Sequence, residues 1–104
     1  VQDQVEAALL RWPRIATGTA FASPGYYVRG RAFAFWESGG LVLKLPAEVR
    51  GLALARPGAR RYTVPRGSGP EWVLIPVDDE TDAPGLVELL RNAYQFVGGG
   101  LPPV

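Results

Sequence analysis

Between Ala55 and Trp72 the chain reads ARPGARRYTVPRGSGPEW, which sets Arg56, Arg60, Arg61 and Arg66 around a Gly67-Ser68-Gly69-Pro70 loop. Guanidinium groups at this density suit bidentate pairing with phosphates or carboxylates, so anion recognition is the first chemistry to weigh. The glycines do not make a phosphate cradle. The pattern G-x-x-x-x-G-K-[ST] is missing, and Pro70 leads into a strand where a P-loop would open a helix. A hairpin loop with a basic rim is the better reading, its arginines either solvated or docking a phosphate or a partner's carboxylates. The acidic run Asp78-Asp79-Glu80-Thr81-Asp82 lacks the spacing and closing glutamate of a calcium loop. Asp82, just before Ala83-Pro84, is instead placed to cap a helix. Glu37, Glu48 and Glu71 fall at the ends of expected elements, and nothing in their spacing pairs them as acid and base.

What the chain lacks narrows the chemistry further. With no cysteine and no histidine, there is no thiol nucleophile, no Cys-ligated metal and no Ser-His-Asp relay. No catalytic residue, metal ligand or cofactor is assigned, and the expectation is a non-enzymatic domain. The formal net charge of +1 is too small for a protein that coats nucleic acid through overall charge, although local patches remain open. No apolar run approaches the roughly 20 residues that span a bilayer, and no secretory leader pattern is visible. The expected location is therefore cytoplasmic. A length of 104 residues fits one domain over residues 1–104, its core from about 3 to 97 and a tail over 98–104.

The elements that must position these residues follow from hydrophobic period. Val5, Ala8, Leu9 and Trp12 keep helical spacing up to Pro13. Ile15 to Pro24 reads as a turn-rich connection, with Phe21 as a potential strand start. From Tyr26 to Leu45 the period becomes two, and turn signals at Arg29-Gly30 and Ser38-Gly39-Gly40 imply a three-stranded antiparallel meander. Pro46 opens a short helix with Val49, Leu52 and Ala53 on one face, ended by Pro57-Gly58. Arg61–Arg66 and Trp72–Val77 read as two further strands, and Pro76 places the second at an edge or ends it early. Leu86, Leu89, Leu90, Ala93, Tyr94 and Val97 form the apolar stripe of a closing helix stopped by Gly98-Gly99-Gly100. The fold class is α+β: a two-layer α-β-β-β-α-β-β-α sandwich with one antiparallel sheet.

Strict alternation through the two turns divides the sheet into two faces. Tyr27, Ala32, Ala34, Trp36, Leu41, Leu43 and Leu45 take the helix-covered face, joined by Val73, Ile75 and Val77. The opposite face receives Tyr26, Val28, Arg31, Phe33, Phe35, Val42, Lys44, Trp72 and Leu74. In a two-layer domain that second face would be open, and aromatics interleaved with cations there mark a binding surface. The candidate site is accordingly Tyr26, Arg31, Phe33, Phe35, Lys44 and Trp72, flanked by the basic rim of Arg56, Arg60, Arg61 and Arg66. Its occupant is either a protein partner, a second copy included, or a nucleic acid whose phosphates meet Arg31, Lys44, Arg60 and Arg61. Cover by loops or arginine stems is the plainer alternative. A small-ligand pocket bordered by Trp36, Tyr27 and Tyr94 is a further one.

The runs YYVRGRAFAFWESGGLVLKLP, YTVPRGSGPEWVLIPV and LVELLRNAYQFV together resemble the MmcQ/YjbR-like family of small bacterial proteins. Gly30, Arg31, Phe33, Lys44, Trp72, Val73, Leu90, Tyr94 and Val97 stand at matching positions, and the resemblance covers roughly residues 25 to 97. It implies a two-layer α+β fold like that of type III secretion chaperones; the TfoX N-terminal domain looks similar. Family members are often labelled DNA-binding. Two departures are visible: Ala93 stands where the family has serine, and Glu71 where many members carry a basic residue or histidine. An anionic Glu71 beside Trp72 weighs against a DNA contact there. The resulting expectation is a cytoplasmic protein-interaction module acting through its open sheet face.

Overall fold

The computed structural model describes residues 2–20, 23–63 and 71–99. Helices α1 (Gln2–Leu9), α2 (Ala47–Leu54) and α3 (Ala83–Gly98) accompany strands β1 (Ile15–Ala20), β2 (Ser23–Val28), β3 (Arg31–Glu37), β4 (Gly40–Lys44), β5 (Arg60–Arg61) and β6 (Trp72–Pro76). The strands form one antiparallel sheet in the order β1-β2-β3-β4-β6-β5. All three helices contribute to the core cluster on one side of it. The α+β class with one antiparallel sheet stands, but the element order has one more strand than the sequence reading supplied.

That strand is β1, and the reason it is hard to read is physical. At the sheet's edge it buries little, so Thr17, Gly18 and Thr19 are exposed and no apolar alternation is required of them. Ile15, packed on the core, and buried Ala20 are its anchors. β1 pairs with β2 from Ile15–Val28 to Ala20–Ser23, making the meander four-stranded. Arg29-Gly30 forms the two-residue turn, with φ of 53° and 78° and Val28 opposite Arg31. Positive φ at both central residues matches a type I′ turn, whose twist suits a hairpin.

The larger correction lies in β3. Tyr27 pairs with Ala32 and Tyr26 with Ala34, so Phe33 is an extra residue in a β-bulge. Phe33 and Ala34 therefore both point into the helix-side core, as a bulge allows. Parity before the bulge is inverted relative to strict alternation. Tyr26, Val28 and Phe33 belong to the helix-covered core, while Tyr27 and Ala32 pack on the opposite face. Beyond the bulge the expected assignment holds: Ala34, Trp36, Leu41, Leu43, Leu45, Val73 and Ile75 face the helices, and Phe35, Val42, Trp72 and Leu74 face away.

The helices follow their periodicity with two local differences. In α3 the buried set is Leu86, Leu89, Leu90, Ala93, Tyr94 and Gly98, with Val97 partly buried, and Gly99 closes the helix with φ of 72°. In α2, Ala53 is buried but Leu52 is 71% exposed, so it does not share the buried face expected of it. Pro46 is the N-cap of α2, one position ahead of the expected first turn. Among the described residues no helix is long and apolar enough to cross a membrane.

Candidate functional site

The sheet face away from the helices is closed over its aromatic half. Phe35 is 0% and Trp72 2% exposed, and Val42 and Leu74 are buried with them. Tyr62 packs edge-on against Phe35 at 5.7 Å between ring centroids, and Trp72 tilts against Phe35 at 5.5 Å. Lys44, opposite Trp72 in the ladder, carries its Nζ 5.9 Å from the tryptophan ring centroid. Tyr62 is fixed in turn by its hydroxyl, which donates to Glu37 Oε2. That bond raises the Tyr62 phenol pKa and, with the Ser38 N–H on Oε1, lowers that of Glu37. Of the expected open-face site, then, Phe35, Lys44 and Trp72 do share a face, as a second small core.

The other members of that site lie across the sheet. Phe33 is buried edge-on to Tyr94 at 5.8 Å. Arg31, opposite Val28, is exposed at the end of the helix side. Tyr26 is at the centre of a buried relay: the Trp36 indole N–H donates to its hydroxyl at 2.6 Å, and that hydroxyl donates to Glu6 Oε2 at 2.5 Å. Burial, reinforced by the Glu6 carboxylate, pushes the Tyr26 phenol far above its ordinary range, partly opposed by the Trp36 N–H. The relay ties α1 to β2 and β3. Sequence reading left Glu6 out of it because the partners are far apart in the chain. Tyr27 faces away from Trp36 and Tyr94, so these three do not border one pocket.

The basic rim is likewise divided. Arg56 lines a cleft with Asp78, Glu80 and Asp82, while Arg60 and Arg61 form the two-residue edge strand β5. Arg66 and the Gly67-Ser68-Gly69-Pro70 loop lie outside the described residues, as does Phe21. The four cations proposed for phosphates are spread over three strands, Arg31 on β3, Lys44 on β4 and Arg60 and Arg61 on β5. In the acidic turn, Asp78 Oδ1 accepts the Glu80 N–H at 2.9 Å and the Thr81 hydroxyl at 3.2 Å. Asp82 occupies the N-cap position of α3 but makes no side-chain cap hydrogen bond; its carboxylate lies across Gly85, where a Cβ would meet Oδ2 at 2.5 Å.

β1 is the first strand of the sheet. β1 has six residues, Ile-Ala-Thr-Gly-Thr-Ala, with no charge and no proline. In an antiparallel strand every second residue directs its N–H and C=O away from its neighbour, and among the described residues β1 has a neighbour only in β2. Ala16 and Gly18, on the face away from the helices, are exposed beside partly buried Tyr27 and Ala32. Tyr27 lies along β1, its hydroxyl donating to the Thr19 carbonyl and its ring 3.3 Å from where a Cβ on Gly18 would stand. Elsewhere among the described residues the large exposed apolar side chains are Leu10, Leu52 and Phe96; Phe96 borders a cleft with Pro46, Val49 and Asn92.

Comparison of the chain with protein-family models, with curated proteins and with solved structures finds no match.

Proposed function

We propose that this is a protein-interaction module, one that takes an extended segment of its partner as an added strand on β1. The observation that carries the reading is the contrast between the sheet's two edges. β5 is two residues long and both are arginine, which is how natural sheets blunt an edge; β1 is six residues long and uncharged. Backbone hydrogen bonds along such an edge supply affinity, and the alternate side chains supply specificity. The reading replaces the aromatic sheet face by the edge beside it, because Phe35 and Trp72 are already buried within the domain.

The same proposal keeps the non-enzymatic role, the cytoplasmic location and the MmcQ/YjbR type. Supporting the last are Gly30, Arg31 and Phe33 on one hairpin, Lys44 paired with Trp72, and Leu90, Tyr94 and Val97 along the closing helix. The test is an amide-resolved NMR titration with a blocked peptide of alternating threonine and valine. Shifts are expected to concentrate on residues 15–20 and to vanish with the backbone N-methylated version of the same peptide, which cannot donate to a ladder. Shifts confined to other elements, or indifferent to N-methylation, would defeat the reading.

A further inference from the structure

One end of the β1 edge is marked by charge. Ile15 and Val28 are the last paired residues of the β1–β2 ribbon, so Arg14 and Arg29 occupy the positions immediately outside that pair. Both are exposed, and they are the non-glycine residues with positive φ among those described, 63° and 53°. The left-handed backbone is uncommon for a side chain of this kind. Neither forms an ion pair with a described residue. They are close enough to the Tyr94 phenol to favour its anion, against the burial that raises its pKa. Tyr94 is anchored there by donating to the Pro13 carbonyl at 2.5 Å.

The opposite end of β1 has a different character. The strand ends at buried Ala20, and the chain from 16 to 26, ATGTAFASPGY, contains no charged residue. Among the described residues of the β1–β2 ribbon and its ends, a strand laid on β1 therefore meets two cations at one end and none at the other.

From this charge asymmetry, and resting on the strand-addition reading above, we infer that the partner segment is an uncharged extended stretch followed on its C-terminal side by carboxylates, which pair with Arg14 and Arg29. The direction follows from the ladder. Every pairing in this sheet is antiparallel, and an antiparallel strand on β1 brings its C-terminal end to Ile15. A second copy of this chain fits the site less well. With β1 paired fully against itself, Ile15 meets Ala20, and the sequence from 16 to 26 holds no acid for Arg14.

Two end-blocked peptides of identical composition test the inference, one with an Asp-Glu pair after a Thr-Val strand and one with the pair before it. The C-terminal placement is expected to bind about fivefold more tightly at low salt, the gain of roughly two exposed ion pairs, with the preference shrinking as salt rises. Arg14→Gln with Arg29→Gln is expected to erase the preference while leaving an uncharged strand peptide bound as before. Equal affinities, a preference for the N-terminal placement, or a preference that survives both substitutions overturns the inference and leaves strand addition intact. Binding of neither peptide at residues 15–20 overturns both. The inference also fails if the free protein sediments as a dimer whose β1 amides are already protected, or if a short single-stranded DNA occupies the two arginines more tightly than the acidic peptide does.

Discussion

Removing one oxygen, by Tyr26→Phe, is expected to weaken the fold far more than its size suggests. The ring stays packed, since Tyr26 is 2% exposed, but the hydroxyl that joins Trp36 to Glu6 is gone. The Trp36 indole N–H is then buried without an acceptor, which costs about 1–3 kcal/mol, and a hydrogen bond to a charged group, worth about 1.5–3 kcal/mol, is lost as well. Glu6 is only half-buried and recovers water, so the second contribution counts at its lower end. The expected total is about 2.5–4.5 kcal/mol, a large share of the roughly 5–15 kcal/mol typical of whole domains. Urea unfolding followed by tryptophan fluorescence measures it, with the midpoint falling and the denaturant dependence unchanged. Glu6→Gln in the same background should cost less than it does in the parent, because the two side chains act through one bond. A loss below about 0.5 kcal/mol, smaller than the cost of an ordinary hydrogen bond, with strict additivity of the two changes, would refute the relay as a structural element.

Three further outcomes follow from other parts of the molecule. Tyr26, Tyr62 and Tyr94 all have phenol pKa values raised by the fold. Their contribution to stability is complete below the ordinary phenol value of about 10 and is lost as pH rises through the folded values, so alkaline unfolding should coincide with late tyrosinate absorbance and Tyr26→Phe should weaken that pH dependence. Glu37 has its pKa lowered by Tyr62 and Ser38; the stabilisation it provides is present above the usual carboxylate range and fades as pH falls, and a Tyr62→Phe variant should show a flatter acid limb in thermal melts. Gly25→Ala should destabilise by about 1–3 kcal/mol through overpacking, since its Cβ would stand 2.7 Å from that of Ala20 and 3.1 Å from that of Phe35; equal melting temperatures would contradict the close packing.

Legibility in the sequence varied with how much each element buries. The closing helix was plain because Leu86, Leu89, Leu90, Ala93 and Tyr94 must all face the core, and the Arg29-Gly30 turn was plain because its backbone needs positive φ. β1 was not, because an edge strand with Thr17, Gly18 and Thr19 in water has no pattern to show. The sheet faces were misassigned for a related reason. Alternation transmits parity from residue to residue, and the extra residue at Phe33 reversed it for everything upstream, placing Tyr26 and Phe33 inside the core. Nothing in RAFAFWE distinguishes a bulged strand from a regular one. Cover over Phe35 and Trp72 depends on contacts between distant parts of the chain, such as Tyr62 against Phe35, and spacing along the chain does not encode those.

The inequality of the two edges also bears on how large an assembly can become. A sheet that accepts a strand on both sides can pass growth from one molecule to the next, which is the route to fibres. Here the β5 side is two arginines wide and offers no template, so a partner strand bound at β1 leaves nothing to extend beyond β5. If β1 takes a partner strand as proposed, growth through this domain from one edge to the other stops at β5.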